Sequence, residues 1–365
     1  MSEQIIEKPE KLEGYEKEPL GMGGYPIDSM LIRYEPRTIH EVCRRIDKDQ
    51  YILDPDFQRD FIWPAEKQSK LIESILMRIP LPVFYLAERN DGKIIVVDGL
   101  QRLTTIHRFI NNKFSLRHLD ASNENILGKK FSDLHPKLKT RIEDTNLILY
   151  LIDEKVPDRA KLDIFERVNG GIALTRQQMR NCLYCGPATL LLKELAQHKD
   201  FLKATGLSLN KKSMRDREFV NRFLSFHVLG VRNYRGYMDN YLADSLVKVN
   251  NMDRKDISSL KELFLKSMRN NTRVFGKHAF RKHHSNSQGR NIINAALFDV
   301  FSIVMSKLDE EYVNKNKNTI HEAFYSLLSD VTFTNSITYS TNDVKRVLGR
   351  FNAAEEAFGE FYDIV

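Results

Sequence analysis

Apolar residues in the first half of the chain follow two different periods. Over 65–78 they recur every three or four residues, which predicts a helix with one buried face. Two short β-prone runs, 83–87 and 93–97, flank the strong turn signal Asn90-Asp91-Gly92 and predict a hairpin. Another apolar strand is predicted at 147–152. This mixture indicates an α+β fold for the first part of the chain.

The second half has helical spacing almost throughout. From about Arg159 onward, apolar residues recur every three or four positions, and Thr175 is suited to cap a helix. No fixed-period repeat and no low-complexity tract is present. Helical segments are therefore predicted at 162–168, 190–195, 219–228, 260–268, 292–305, 320–328 and 344–361, and those after 186 form an all-α second domain.

Length and composition refine this division. A chain of 365 residues is too long for one small core and favours two domains. Residues 1–26 lack periodicity and are predicted to be a flexible tail. The predicted domains are then 27–185 and 186–365. The hydrophobic fraction of 42% and the charged fraction of 29% are ordinary for a globular protein.

Targeting signals and cysteines give little information about function. No apolar run is long enough to span a membrane and the N-terminus lacks a secretory pattern, so we expect a cytoplasmic protein without a membrane partner. The chain has 3 cysteines, and Cys182 and Cys185 have the spacing of half a metal site. Without a second pair or nearby histidines, ordinary cysteines near a helix end are the better interpretation.

The segment 93–106 carries the clearest candidate chemistry. Four β-prone residues, 94–97, run into Asp98-Gly99, and a helix is predicted to follow to about Ile110. A strand that turns sharply into a helix directs backbone N–H groups at one point, and Arg102 adds a planar donor fork suited to phosphate. The alternative is a buried corner with a solvated arginine, and this segment alone does not separate the two.

Two other segments invite the same question. In Phe57-Gln58-Arg59-Asp60-Phe61-Ile62-Trp63 the aromatic residues are predicted anchors, which leaves Gln58 and Arg59 to face a ligand. The alternative is a surface arginine beside a structural tryptophan. In Phe165-Glu166-Arg167-Val168-Asn169-Gly170-Gly171, spacing alone favours a helix C-cap over an anion or metal site.

Together these segments resemble the N-terminal domain of GmrSD-type restriction proteins, which is similar to the ParB/sulfiredoxin fold. The motifs are Phe-Gln-Arg-x-Phe-x-Trp, Ile-Pro-Leu-Pro, Val-Asp-Gly-x-Gln-Arg-Leu-Thr-Thr and Phe-Glu-Arg-x-Asn-Gly-Gly, over about Ile39–Tyr184. The family signature Asp-Gly-Gln-Gln-Arg here reads Asp98-Gly99-Leu100-Gln101-Arg102, so leucine replaces the first glutamine. The resemblance implies a ParB-like nucleotide-binding domain followed by a helical domain.

The resemblance also implies roles for individual residues. Asp98, Gln101 and Arg102 would be catalytic, with Asp98 orienting water or Mg²⁺ and Gln101 positioning the attacking water. The cofactors implied are a nucleoside triphosphate and Mg²⁺. Sulfiredoxin chemistry is not expected, since the loop has no cysteine. The residues expected to bind the nucleotide are Gln58, Arg59, Gly99, Arg102, Thr104, Thr105, Arg167 and Asn169.

Positive charge concentrates in the predicted helical domain. The formal net charge of +7 is modest, but 263–298 contains no acidic residue. A run of basic residues is most often a solvated helix face. Here, however, acidic residues are entirely absent, and the glycine and serine at 285–289 predict a mobile loop. These two features favour contact with DNA or RNA. A His-Asn-His nuclease is not expected. The predicted DNA-binding residues are Arg269, Arg273, Lys277, Arg281, Lys282 and Arg290.

The leading functional hypothesis is a protein of restriction or anti-phage defence that binds, and hydrolyses or senses, a nucleoside triphosphate. The alternatives are a DNA-binding switch gated by nucleotide without catalysis, which Leu100 slightly favours, and a nickase that uses Asp54, Asp56, Asp60 and Asp98. The expected partners are a nucleoside triphosphate, DNA, and a partner defence protein or nuclease. A homodimer is a further hypothesis.

Overall fold

The computed structural model describes residues 12–16, 31–53, 63–89, 91–117, 125–157, 160–161, 163–164, 167, 175–284 and 289–359. The chain divides into two compact units. One comprises Leu20–Leu174, and the other comprises Met1–Pro19 with Thr175–Val365. Within the described residues, no helix combines the length and the apolar character needed to cross a bilayer. The predicted α+β region followed by a helical region is confirmed.

A mixed sheet forms the centre of the unit Leu20–Leu174. Its described strands lie in the order β1-β5-β3-β4-β2. The pairs β1–β5 and β3–β4 are antiparallel, whereas β3–β5 and β2–β4 are parallel. The strands are β1 (Ile32–Thr38), β2 (Tyr51–Ile52), β3 (Phe84–Glu88), β4 (Ile94–Asp98) and β5 (Asn146–Ile152). The predicted hairpin is therefore confirmed as β3–β4.

Helices accompany this sheet and begin at the expected signals. The Thr38 hydroxyl accepts a hydrogen bond from the Glu41 N–H, which caps the first helix. The predicted helix 65–78 is confirmed, ending at Leu76. The helices are α1 (Ile39–Asp47), α2 (Ala65–Leu76), α3 (Leu100–Ile110) and α4 (Pro136–Glu143), with a 3₁₀ turn at Phe131–Asp133.

The core of this unit lies between the helices and one face of the sheet. Ile39, Ile72 and Ile75 come from the helices, and Phe84 and Leu149 from the strands, and each is at most 1% exposed. Burial of such side chains contributes about 1.5–3 kcal/mol each. The core therefore holds in place the start of β3 and the end of β4, next to which the candidate site lies.

The second unit is helical in its described part. The predicted helical segments from 190–195 onward are confirmed, with boundaries that move by a few residues, whereas 162–168 lies largely outside the described residues. Thr175 caps α5 through the Gln178 N–H. The helices are α5 (Arg176–Leu183), α6 (Pro187–Gln197), α7 (Lys199–Thr205), α8 (Arg215–Leu229), α9 (Met238–Asn250), α10 (Arg254–Phe275), α11 (Ala295–Lys307), α12 (Glu310–Lys315), α13 (Lys317–Ser329), α14 (Val331–Ser336) and α15 (Val344–Phe358).

Two arginines meet one aspartate at the centre of the helical unit. Asp299 on α11 binds Arg222 on α8 at 2.6 Å and Arg350 on α15 at 2.9 Å. All three residues are at most 1% exposed. Because an unpaired charge is costly in such a place, this carboxylate links three helices.

A short segment near the N-terminus also belongs to the helical unit. The Glu13 N–H donates to the Ile293 carbonyl at 3.0 Å, and the Ala295 N–H donates to the Glu13 carbonyl at 2.8 Å. Tyr15 places its ring 3.9 Å from the Arg215 guanidinium carbon. The prediction of a flexible tail is therefore wrong for residues 12–16, because main-chain pairing supplied by distant residues is invisible to local composition.

Candidate functional site

The predicted corner between strand and helix lies at Asp98-Gly99. Strand β4 ends at Asp98, Gly99 has φ +94°, and α3 begins at Leu100. This left-handed conformation favours glycine. A Cβ on Gly99 would also lie 2.2 Å from Cδ1 of the buried Phe84. Gly99 is therefore required both for the turn and for the close approach of Phe84.

The first turn of α3 lacks a side-chain cap. Gly99 occupies the N-cap position and has no side chain to accept from the following N–H groups, although its carbonyl accepts from Leu103 at 2.8 Å. The first N–H groups of a helix have no partner within the helix, and the helix dipole adds partial positive charge there. The start of α3 thus carries partial positive charge, which the phosphate interpretation requires.

Arg102 binds three groups around this corner. Its guanidinium donates to the carbonyls of Pro82 and Val83, the latter at 3.1 Å. It also forms an ion pair with Asp98 at 2.8 Å and lies 4.3 Å from the centre of the Phe84 ring. The interpretation as a solvated arginine is thus wrong. Arg102 holds the 82–83 segment against the start of α3.

Arg102 nevertheless retains donor capacity. Guanidinium has five N–H groups. Three are used by Pro82, Val83 and Asp98, so two, on Nε and Nη1, have no partner among the described residues. Burial lowers the pKa of Arg102, and the Asp98 carboxylate opposes this effect. The Asp98 side chain is 31% exposed, so this edge of the ion pair is open to solvent.

The neighbouring predicted residues differ in accessibility. Gln101 is half-buried in the first turn of α3. Thr104 and Thr105 are 8% and 2% exposed, and the Thr104 hydroxyl has no hydrogen-bond partner among the described residues. The prediction that these two threonines hold phosphates is therefore wrong for this conformation. Helical periodicity turns both of them into the protein.

Other predicted nucleotide contacts stay predictions. Gln58, Arg59 and Asn169 lie outside the described residues, as do Asp54, Asp56 and Asp60 of the nickase hypothesis. Arg167 is described, and its side chain is exposed. The convergence of these residues on Asp98 and Arg102 is thus an expectation from the sequence.

The described residues contain no group of three His, Cys, Asp or Glu side chains that could hold a metal ion. Mg²⁺ is commonly held by one or two carboxylates together with substrate phosphates and water. Asp98 has the right chemistry for such a shared site, and its exposed edge makes it accessible. The residues thus fit Mg²⁺ only in company with a phosphate ligand.

The sheet also carries a row of tyrosines that was not predicted from the sequence. Tyr34, Tyr150 and Tyr85 are cross-strand partners on β1, β5 and β3, and Tyr85 is in turn the partner of Asp98 on β4. The ring centres are 6.0 Å apart for Tyr34–Tyr150 and 5.5 Å apart for Tyr85–Tyr150, the latter pair stacked. Three aromatic rings therefore lead across the sheet to the candidate site. Only the strand register, which sequence spacing does not supply, brings them together.

The predicted DNA-binding residues of the helical unit do not form one uniform surface. Arg281 is 1% exposed, and its guanidinium donates to the carbonyls of Ala279 and Thr205. Burial lowers its pKa to about 10. Arg281 is therefore a structural residue, and its assignment to DNA binding is wrong because its charge faces the protein interior.

The other basic residues of this set remain accessible to different degrees. Arg269 and Arg273 both pair with Glu310, at 2.6 Å and 3.2 Å, and each is about a third exposed. Lys282 pairs with Glu13. Lys277 is exposed, and the exposed Arg290 donates to the Gly206 carbonyl at 3.0 Å. Their contact with DNA stays a prediction.

Comparisons with known proteins address the N-terminal unit. A comparison with curated proteins gave no match. Residues 39–185 match the family described as GmrSD restriction endonuclease, N-terminal domain. This range contains the Asp98–Arg102 corner and agrees with the resemblance predicted over Ile39–Tyr184. Residues 39–185 of this chain are therefore similar to the N-terminal domain of GmrSD-type restriction endonucleases.

Proposed function

We propose that the domain at 39–185 binds a nucleoside triphosphate and controls an action on DNA in restriction or anti-phage defence. The family is named for a restriction endonuclease, which supports the biological setting. The observation that carries the proposal is the corner at Asp98–Arg102. It combines an uncapped helix N-terminus, a guanidinium with unused donors and a half-exposed carboxylate.

In this proposal, the phosphates of the nucleotide approach the start of α3. The N–H groups after Gly99 and the two unused N–H groups of Arg102 donate to phosphate oxygens. Asp98 would hold Mg²⁺, which would supply positive charge to the phosphates. Gln101 then positions the attacking water in the hydrolytic form of the proposal.

The ion pair between Asp98 and Arg102 gives this site a resting state. Asp98 Oδ2 occupies one side of the guanidinium at 2.8 Å. A phosphate or Mg²⁺ would compete with that contact, since phosphate attracts the arginine and Mg²⁺ attracts the carboxylate. Because Arg102 also holds the carbonyls of Pro82 and Val83, nucleotide binding would loosen or shift the 82–83 segment. Such a shift is a means of passing the nucleotide state to other parts of the domain.

The tyrosine row offers a surface for the base of the nucleotide. Tyr85 is half-buried and is the cross-strand partner of Asp98. Stacking on an aromatic ring contributes about 1–3 kcal/mol per base and tolerates different bases. We therefore expect Tyr85→Ala to weaken nucleotide binding about tenfold. Tyr34→Ala, at the far end of the row, is the matched control and should have little effect.

The DNA component of the proposal rests on the family and on positive charge. Lys277 and Arg290 are exposed, and Arg269, Arg273 and Lys282 are partly so. Lysine and arginine that neutralise phosphates make affinity fall with salt and give little sequence preference. A partner defence protein or nuclease would supply cleavage if the chain itself does not.

The test measures binding and turnover of ATP, GTP, CTP and UTP with Mg²⁺, with and without DNA. We expect Arg102→Ala to reduce nucleotide affinity at least about tenfold, since hydrogen bonds to charged groups contribute about 1.5–3 kcal/mol. The control is Arg44→Ala, which removes a surface arginine of the same unit paired with Glu41. Equal binding and turnover by wild type and Arg102→Ala would refute the proposal.

A second candidate function is a nucleotide-gated switch without hydrolysis. It is favoured by the internal contacts of Arg102, which suit a group that moves on binding, and by Leu100 in place of glutamine. This candidate predicts binding without turnover in the same assay. Plasmid nicking without nucleotide, lost in Asp98→Asn, would instead favour the nickase hypothesis.

A further inference from the structure

A separate cavity lies in the helical unit, between the end of α10 and the start of α13. It has a volume of about 400 Å³, within the range of small-ligand sites. Phe275 and Tyr325 supply aromatic walls, and His278, His283 and His321 line it from three different segments. His321 is distant in sequence from the other two, so spacing alone does not connect the three histidines.

The three imidazoles lie against one another. The rings of His278 and His283 stack with centres 4.8 Å apart, and His321 meets His283 edge to face at 6.2 Å. Three ring nitrogens are buried without a hydrogen-bond partner among the described residues: His278 Nδ1, His283 Nε2 and His321 Nδ1. His283 is only 3% exposed. Buried polar atoms are nearly always paired, so these three nitrogens have hydrogen-bonding capacity that the described residues do not use.

Hydrogen bonds to carbonyls fix how two of these rings can act. His283 Nδ1 lies 2.9 Å from the Arg281 carbonyl, and His321 Nε2 lies 2.7 Å from the Val274 carbonyl. A carbonyl only accepts, so each of those nitrogens carries a proton. The opposite nitrogen of each ring is then a bare acceptor when the ring is neutral and a charged donor when it is protonated.

The electrostatics of the cavity favour an anion. Its described lining contains no carboxylate. Helix α10 contributes Arg273, which also pairs with Glu310, and the following segment contributes Lys277 and His284. Helix α13 begins at Lys317, and its N-cap Asn316 makes no capping hydrogen bond through its side chain. The positive end of the α13 dipole thus adds to the positive charge around the cavity.

The same environment disfavours the charged forms of His278 and His283. Burial, with smaller contributions from His278, His321 and His284, lowers the pKa of His283 to about 4, although the hydrogen bond to the Arg281 carbonyl opposes this effect. Burial also lowers the pKa of His278, with smaller contributions from Lys277, Arg281 and His321. A cationic ligand would meet the same repulsion, and the described residues contain no metal-binding group.

We propose that this cavity binds a terminal phosphate group, carried by a nucleotide or by the end of a DNA strand. The phosphate oxygens accept hydrogen bonds from His283 Nε2 and His321 Nδ1, which take up protons as the anion enters. Lys317 and the first turn of α13 supply further positive charge at the mouth. The site is independent of the Asp98–Arg102 corner, so either proposal can fail alone.

Proton uptake makes the binding dependent on pH. The phosphate raises the pKa of the imidazoles in the complex relative to the free protein, so the complex binds more protons. Affinity therefore rises as pH falls, by up to about tenfold per pH unit for each proton taken up. For His283, the effect is largest between its lowered pKa in the free protein and its raised pKa in the complex.

The experiment titrates the full chain with inorganic phosphate by calorimetry at about pH 6 and about pH 8. Measurement in two buffers of different ionisation enthalpy gives the number of protons taken up per phosphate. We expect tighter binding at the lower pH, with proton uptake. His321→Gln should weaken binding about tenfold and reduce that uptake.

Lys317→Ala is a second variant that should not disturb folding, because it changes only an exposed side chain. It should weaken phosphate binding about threefold, and the loss should depend on salt concentration. Lys255→Ala, an exposed lysine of α10 outside the cavity lining, is the matched control and should bind as wild type. Comparing a nucleoside triphosphate with DNA strands that end in phosphate or hydroxyl identifies the source. Absence of binding, binding without proton uptake, binding unchanged in both variants, or displacement of phosphate by Zn²⁺ would each overturn the proposal.

Discussion

Single residues at the Asp98–Arg102 corner combine a structural and a chemical role. Arg102 uses three of its five donors on Pro82, Val83 and Asp98, and only the remaining two are available to a ligand. The same guanidinium therefore holds the 82–83 segment and has two N–H groups left to bind phosphate. Gly99 is different, since it contributes only conformation and space.

Gly99→Ala should destabilise the protein through two additive effects. The left-handed backbone costs about 1–2 kcal/mol for a residue with a Cβ. Overlap with Phe84 adds about 1–3 kcal/mol, because the new Cβ would lie 2.2 Å from Cδ1 of a fully buried ring. Urea denaturation measures the sum. Gly92→Ala isolates the first effect, since Gly92 has φ +75° with no atom within 4 Å of its Cβ position. Equal losses in the two variants would show that the contact with Phe84 does not matter.

Elements were predicted well where their signals are local. The β3–β4 hairpin and the start of α3 follow from periodicity, a turn signal and Gly99, all within one stretch of chain. Side-chain partners were predicted poorly where they are distant in sequence. Arg281 was expected to bind DNA because its neighbours are basic, yet its guanidinium donates to the carbonyl of Thr205 at the end of α7. The tyrosine row and the histidine cavity depend likewise on strand register and helix packing, which spacing alone does not determine.

The packing of α8, α11 and α15 should depend on the Asp299 carboxylate, because it binds one arginine on each of the other two helices. Asp299→Asn leaves Arg222 and Arg350 charged and buried without their counter-ion. Breaking a buried pair in this way costs about 3–5 kcal/mol. Chemical denaturation of the variant, followed by a probe in the helical unit, checks the loss.

Glu310→Gln is the control for that measurement. Glu310 also binds two arginines, but its side chain is 32% exposed and those of Arg269 and Arg273 are similarly so. Ion pairs near the surface contribute about 0–1 kcal/mol. A loss for Asp299→Asn no larger than that for Glu310→Gln would mean that the buried network is dispensable.

At the scale of the whole molecule, sequence order and structural units do not coincide. The segment around Glu13 precedes the α+β unit in the chain but pairs with residues near 294 in the helical unit. A flexible tail was predicted there because residues 12–16 have no periodicity, and their hydrogen-bond partners are distant in sequence. The α+β unit, Leu20–Leu174, thus lies in the sequence between two parts of the helical unit.

Removal of residues 1–16 should therefore weaken the helical unit and leave the α+β unit unchanged. The Ala295 N–H loses its acceptor at Glu13, and Arg215 loses the ring of Tyr15. Hydrogen exchange followed by mass spectrometry should show faster exchange at the start of α11, because an amide without its partner is protected less. The Leu103 N–H, bonded to the Gly99 carbonyl at 2.8 Å, is an internal control in the other unit. Unchanged exchange at Ala295 would contradict the pairing, and faster exchange at both sites would indicate instead that the truncation unfolds the chain as a whole.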